Sequence, residues 1–238
     1  MIIDTCIFAG ELEMLKFRMT ILEPVVDHFV VIENSWTHQG EPRERAFYDE
    51  TDTIHSFYLD VKRDDPKYTE AAHRDAIADC VAQFSDDDLV ILSDVDEIPS
   101  RYAVSAMEYV DLPTTCELDF YYYRLNWRRP EKCGIAMSTV KHLREIRGNA
   151  LRSLRGSTKI CGGGWHLSYF GGTEAIQKKL KSFCHPEFNQ PEFLDAEWLD
   201  KCQREGIALL KCGTPFKKAT PKDFPKYFLD AAPKGWWL

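Results

Sequence analysis

The apolar residues of this chain follow two periods. Short, mainly apolar segments at Ile2 to Phe8, His28 to Ile32 and Ile54 to Leu59, and the unbroken apolar run Leu89 to Leu92, have the length of strands. Between them, apolar positions recur every three or four residues, as an amphipathic helix requires. Leu12, Leu15, Met19 and Leu22 form such a stripe from about Glu11 to Leu22, entered through Gly10 and ended by Pro24. A second helix is predicted from about Thr69, its cap, to Phe84, with Ala76 or Ile77, Cys80, Val81 and Phe84 on the buried face. Strands alternating with helices predict an α/β fold around a mostly parallel central sheet of the nucleotide-binding type.

Beyond Pro99 the pattern predicts a helix over Tyr102 to Val110 and a Tyr- and Phe-rich strand over Leu118 to Leu125, with a loop at Pro130. Ile160 to Phe170 reads as another strand, ICGGGWHLSYF, turned by Gly171 and Gly172 into a helix from about Thr173 to Phe183. A helix over about Pro191 to Glu205 and a Lys- and Pro-rich tail follow, and Trp236 and Trp237 are expected to dock on the body of the domain. No linker divides the chain. A single domain over 1–238 is expected, with about 1–100 binding the donor and about 101–238 forming the acceptor side and tail.

The chemistry is densest in LVILSDVDEIP, Leu89 to Pro99. Asp94, Asp96 and Glu97 follow four apolar residues, at the carboxyl end of a strand, where open α/β sheets bind ligands. On an extended chain, carboxylates at i and i+2 point to one side and repel, so a cation, a proton or a basic side chain has to sit between them. A hard divalent ion satisfies this and also recruits phosphates; a solvated acidic turn is the plainer alternative. Glu33 ends the second strand beside the loop SWTHQGEPR, where a carboxylate can meet a ribose. Arg74 and Asp75 open toward a ligand or toward solvent. His166 is a fitting third metal ligand or a structural histidine, and Glu174 lies at the positive end of its helix. Trp127 reads either as a sugar-stacking aromatic or as core.

Net charge changes the picture by exclusion. Thirty basic against 38 acidic residues give −8, which argues against a general nucleic-acid binder. One stretch runs the other way: Lys141, Arg144, Arg147, Arg152, Arg155 and Lys159 face a single acid, Glu145, and suit a diphosphate or a solvated basic face. No run reaches the roughly 18 apolar residues of a membrane span, and MIIDTCIF reads as a strand rather than a leader, so a soluble, cytoplasmic protein is expected. The eight cysteines include no C-x-x-C pair, which predicts free thiols rather than a zinc site.

Taken in order, GELEMLKFRMTILEPVVDHFVVIEN, the T-x-Q-G-x-P loop at Thr37 to Pro42, HRDAI at His73 to Ile77, LVILSDVDEIP and GWHLSYFGGTEAIQKKLKSF resemble glycosyltransferase family 17. Its animal members add the bisecting GlcNAc of N-glycans as β-1,4-mannosyl-glycoprotein 4-β-N-acetylglucosaminyltransferases. The resemblance implies a GT-A-type fold, a UDP-sugar donor such as UDP-GlcNAc, a glycan acceptor, a divalent metal (Mn2+ or Mg2+) and inversion at the sugar carbon. It implies a metal site at Asp94, Asp96 and His166, and donor contacts from Glu33, Arg74, Asp75, Asp94 and Trp165. The catalytic base is then Glu174, with Glu97 second. Two other classes share parts of the pattern. Phosphohydrolases with an aspartyl nucleophile also begin with a strand and D-x-D, and a non-catalytic glycan-binding module would use Tyr121 to Trp127 as an aromatic platform.

Overall fold

The computed structural model describes residues 1–154, 159–209 and 215–237. The first run forms β1 (Ile2–Phe8), and Gly10, at φ +97°, turns the chain into α1 (Leu12–Leu22). Its buried face is Met14, Leu15, Phe17, Arg18, Ile21 and Leu22. Leu12, assigned to the stripe by spacing, is instead 40% exposed, and an arginine takes an inside position. β2 (His28–Asn34) and β3 (Ile54–Leu59) follow as parallel strands.

The predicted second helix is two helices, α2 (Pro66–Asp75) and α3 (Ile77–Cys80). The cap is Asp65, which accepts the Lys67 N–H at 2.8 Å, while Thr69 is buried one turn further on. β4 (Leu89–Asp94) is parallel to β1, and a two-residue turn separates it from β5 (Glu97–Pro99). Ser100 then caps α4 (Arg101–Ala106), shorter than the predicted Tyr102 to Val110 and extended by a 3-10 turn.

The largest departure is the hairpin of β6 (Thr114–Tyr122) and β7 (Trp127–Thr139). β7 runs through Pro130, where a loop was expected. Strand pairing skips from Asp119–Lys132 to Tyr121–Arg128, so the proline falls in a bulge where its missing N–H breaks no ladder bond. β7 pairs antiparallel with β4 as well as β6. The basic run becomes α5 (Val140–Ile146) and α6 (Gly148–Ser153), with Arg155 outside the described residues, and β8 (Lys159–Ile160) and β9 (Gly164–Ser168) pair parallel to β6. α7 (Gly172–Ser182) follows, and the next predicted helix is again two, α8 (Pro191–Leu194) and α9 (Ala196–Glu205). β10 (Lys217–Lys218) and α10 (Lys226–Ala231) end the regular structure.

The sheet order is β3-β2-β1-β4-β7-β6-β9-β5, with β8 and β10 attached off this path. The fold is therefore α/β with a mixed, curled sheet, not the mostly parallel Rossmann-like sheet expected. The reason is the short β6–β7 link: a few residues can close an antiparallel pair, whereas parallel strands need a long crossover. Curling brings β5, at the far edge, within two residues of β4 in the middle. Gly164 permits the closure, since a Cβ there would stand 2.2 Å from the Ile98 carbonyl oxygen.

The aromatic platform is overturned here. Tyr121, Tyr122, Tyr123 and Trp127 are all buried, and the Trp127 Nε1–H donates to the Gln203 carbonyl at 2.8 Å. Trp236 docks as expected, edge-on to Phe17 at 4.7 Å. Cysteines among the described residues are free thiols; Cys212 lies outside them. No helix among the described residues is long and apolar enough to cross a membrane.

Candidate active site at the carboxyl ends of the strands

The site is built on a buried charge pair. Arg18 is fully buried, and its Nε and Nη2 donate to the two oxygens of Asp4 at 2.7 and 2.6 Å. Its remaining donors reach the Ser93 hydroxyl (2.6 Å) and the carbonyls of Asp94 (3.0 Å) and Glu97 (2.8 Å). One guanidinium thus fixes the turn that carries the acidic motif.

That turn sends the two aspartates to different partners. Asp94 accepts from Arg74 and Arg152, both at 3.1 Å. Asp96 accepts from Lys179 at 2.6 Å, and its Oδ2 lies 3.7 Å from His166 Nε2. Burial opposes ionisation of both, but Arg152 and Arg74 at Asp94, and Lys179 and His166 at Asp96, outweigh it and hold the carboxyls well below the usual range. Burial likewise disfavours the His166 imidazolium, yet Asp96 outweighs it and pushes the imidazole up to about 10. The basic-side-chain answer to carboxylate repulsion is therefore present in the fold.

These groups open onto a cavity of about 340 Å³, lined also by His38, Arg43, Glu70 and His73. The Thr37 to Pro42 loop closes one side, where Gln39 Nε2 donates to the Leu180 and Phe183 carbonyls at the end of α7. Glu11 from the β1–α1 turn, Tyr169 and Lys179 also line it.

Of the residues singled out in the sequence, Asp94, Asp96, Arg74 and His166 come together here. Glu33 is buried and holds the following segment, accepting from Arg43 and from the N–H groups of Ala46 and Phe47. Asp75 accepts the Asn149 N–H at 2.7 Å, joining α2 to α6. Trp165 packs in the core, 4.5 Å from the Phe228 ring. Glu97 is buried, with both oxygens on Arg152 (2.6 and 2.8 Å). Glu174 is exposed on the first turn of α7, outside the cavity lining. Arg18, Lys179, His73 and Glu11 carried no prediction. Arg18 had a signal: Asp4 in an otherwise apolar strand and an arginine at a buried helix spacing predict each other as partners.

His73 carries a pH dependence. Its Nε2–H donates to the Ile32 carbonyl at 3.2 Å, and burial, then the neighbouring His38, push the ring down to about 3. The unfolded chain titrates near 6.5, so between these values it binds the extra proton. Stability is expected to be full above about pH 6.5 and to fall below it, by up to about 1.4 kcal/mol per pH unit from this group. Urea midpoints measured from about pH 7 to about pH 5 check this. A slope that His73→Gln leaves unchanged contradicts it.

A divalent metal would compete here with a proton on His166 and with the Lys179 ammonium on Asp96. Asp96 Oδ2 and His166 Nε2, 3.7 Å apart, could reach one ion at bond lengths of about 2.0–2.2 Å once Lys179, now at 2.6 Å, moves off that oxygen. The His166 ring is fixed by Phe120, stacked at 4.3 Å, and by Cys133 Sγ, 3.3 Å from Nδ1. Glu97, Cys133 and His166 also form a possible metal-binding triad, with donor atoms within 4.8 Å of one another. Arg152 occupies both oxygens of that glutamate, as Lys179 occupies one oxygen of Asp96, and only the Asp96–His166 pair faces the cavity.

Fold and site define an α/β protein whose charged ligand cleft opens where parallel strands end, the place where this architecture carries its chemistry. The family model described as glycosyltransferase family 17 matches residues 1–212, and the chain belongs to that family. It is accordingly a glycosyltransferase, with a sugar donor and a glycan acceptor. No curated protein matches the chain.

Proposed function

We propose that the chain is a GT-A-type, inverting, metal-dependent glycosyltransferase that moves GlcNAc from UDP-GlcNAc to a glycan hydroxyl. The observation that carries the reading is the convergence of Asp94, Asp96, Arg74, Arg152, Lys179 and His166 on one cavity. Two carboxylates, three fixed cationic groups and a histidine that can be charged or ligate suit a nucleoside diphosphate arriving with a metal ion. Asp96 and His166 would hold Mn2+ or Mg2+, with Asp94 beside them, and the ion would neutralise the departing diphosphate. Arg74, Arg152 and Lys179 add fixed positive charge around the same leaving group. The acceptor hydroxyl attacks from the opposite face, and a carboxylate takes its proton. The phosphohydrolase reading needs a free aspartyl nucleophile, but Asp94 has an arginine on each oxygen.

Calorimetric titration of UDP-GlcNAc, with and without Mn2+ and beside UDP-galactose and GDP-mannose, tests the proposal. Binding that requires Mn2+ and is tightest for UDP-GlcNAc is expected. Absence of binding by every nucleotide sugar in both conditions overturns it, and phosphate release from p-nitrophenyl phosphate would favour the phosphohydrolase.

A further inference from the structure

A second cavity, of about 270 Å³, adjoins the first. The two share a wall of Ala9, Glu11, Asp96, Tyr169, Lys179 and Ser182. Beyond that wall the lining is mainly apolar and aromatic, with Leu12, Met14, Leu167, Phe170 and Trp236, and carries two charged groups, Lys178 and Glu13, the latter accepting the Trp236 Nε1–H at 3.1 Å. The aromatic and apolar part of this surface matches the C–H faces of a sugar ring, and the polar groups at its edge suit ring hydroxyls.

Two carboxylates lie on the shared wall. Asp96 is engaged by Lys179 and His166. Glu11 accepts the Ala9 N–H at 3.0 Å through one oxygen, and among the described residues it joins no ion pair. The positive φ of Gly10 makes the turn that places it there. Glu97 and Glu174 line neither cavity.

We propose that the second cavity is the acceptor subsite for a neutral pyranoside and that Glu11 is the catalytic base. The inference rests on the glycosyltransferase reading of the adjoining cavity. In the step, the acceptor oxygen bonds to the anomeric carbon, the bond from that carbon to the diphosphate oxygen breaks, and the hydroxyl proton passes to the free oxygen of Glu11. The products are the glycoside and UDP, so the balance needs no further reactant.

The test uses the whole chain with Mn2+ and UDP-GlcNAc, following UDP release to p-nitrophenyl β-mannoside and to water. Glu11→Gln keeps an oxygen for the Ala9 N–H. It is expected to lower kcat by about 100- to 10,000-fold, to lose the acidic limb of the kcat–pH profile, and to leave calorimetric donor affinity within about twofold. Glu174→Gln is expected to keep kcat within about threefold. Leu12→Asp, at an exposed first-turn position, is expected to raise KM for the mannoside about tenfold with donor affinity unchanged. Retained turnover in Glu11→Gln, or weakened donor binding in its place, overturns the base. An unchanged KM in Leu12→Asp, or a donor-bound wild type that releases no UDP to either acceptor, overturns the subsite. A wild type that binds no nucleotide sugar fails at the parent reading, and the inference falls with it.

Discussion

Replacing Arg18 with methionine is expected to destabilise the fold by about 3–5 kcal/mol and to disorganise the site together with the core. Methionine fills much of the same volume, so the cost is electrostatic. Asp4, 1% exposed, would lose both of its charge-assisted hydrogen bonds and remain buried in a strand flanked by β2 and β4. The carbonyls of Asp94 and Glu97 would lose a donor as well. Urea denaturation measures the first effect. The double variant Arg18→Met with Asp4→Leu separates the two, because replacing a buried ion pair with apolar side chains is often close to neutral. It is expected to recover most of the stability but not donor binding, since the turn holding Asp94 and Asp96 stays unpinned. An Arg18→Met protein as stable as wild type would sink the account.

That pair also shows where sequence reading reached and where it stopped. β1 to β4 stand where the mainly apolar segments place them: β4 is buried and opens on the unbroken run Leu89 to Leu92, β1 and β2 admit few polar residues, and β3, at the sheet edge, mixes His55 and Ser56 with apolar positions. Pro130 misled, since local chemistry cannot show that a partner strand offers a bulge there. The acidic motif was legible as a site, but its partners come from 20, 58 and 83 residues away, on α2, α6 and α7, and spacing carries no information about those contacts. The two-residue turn between β4 and β5 further divides the aspartates, which an extended chain would have kept on one side. In β9 the period of two was available. His166 and Ser168 line the first cavity, while Trp165 and Leu167 belong to the core cluster, so the alternation separates a cleft residue from its neighbour.

Asp96→Ala is expected to weaken UDP-GlcNAc binding in Mn2+ by about 100-fold or more, the equivalent of about 3 kcal/mol. Two effects oppose each other in this variant. Removing the carboxylate takes away the oxygen that, with His166, would hold the proposed ion, and a divalent cation on a diphosphate would contribute several kcal/mol. It also releases Lys179, which no longer has Asp96 at 2.6 Å, and leaves His166 facing the cavity without a counter-charge. Each freed cation attracts a phosphate directly, but Lys179 and His166 are partly exposed at the cavity wall and each then adds about 1 kcal/mol or a little more, less than a bound ion. The metal term is therefore expected to win, and the Mn2+ dependence of binding to vanish. Lys179→Met is the paired control: with the ammonium gone and Asp96 intact, Mn2+ should bind the donor-free protein more tightly than it binds wild type. If Asp96→Ala instead binds UDP-GlcNAc more tightly and equally well with EDTA, the acidic pair serves to balance the charge of a cationic diphosphate site rather than to hold a metal.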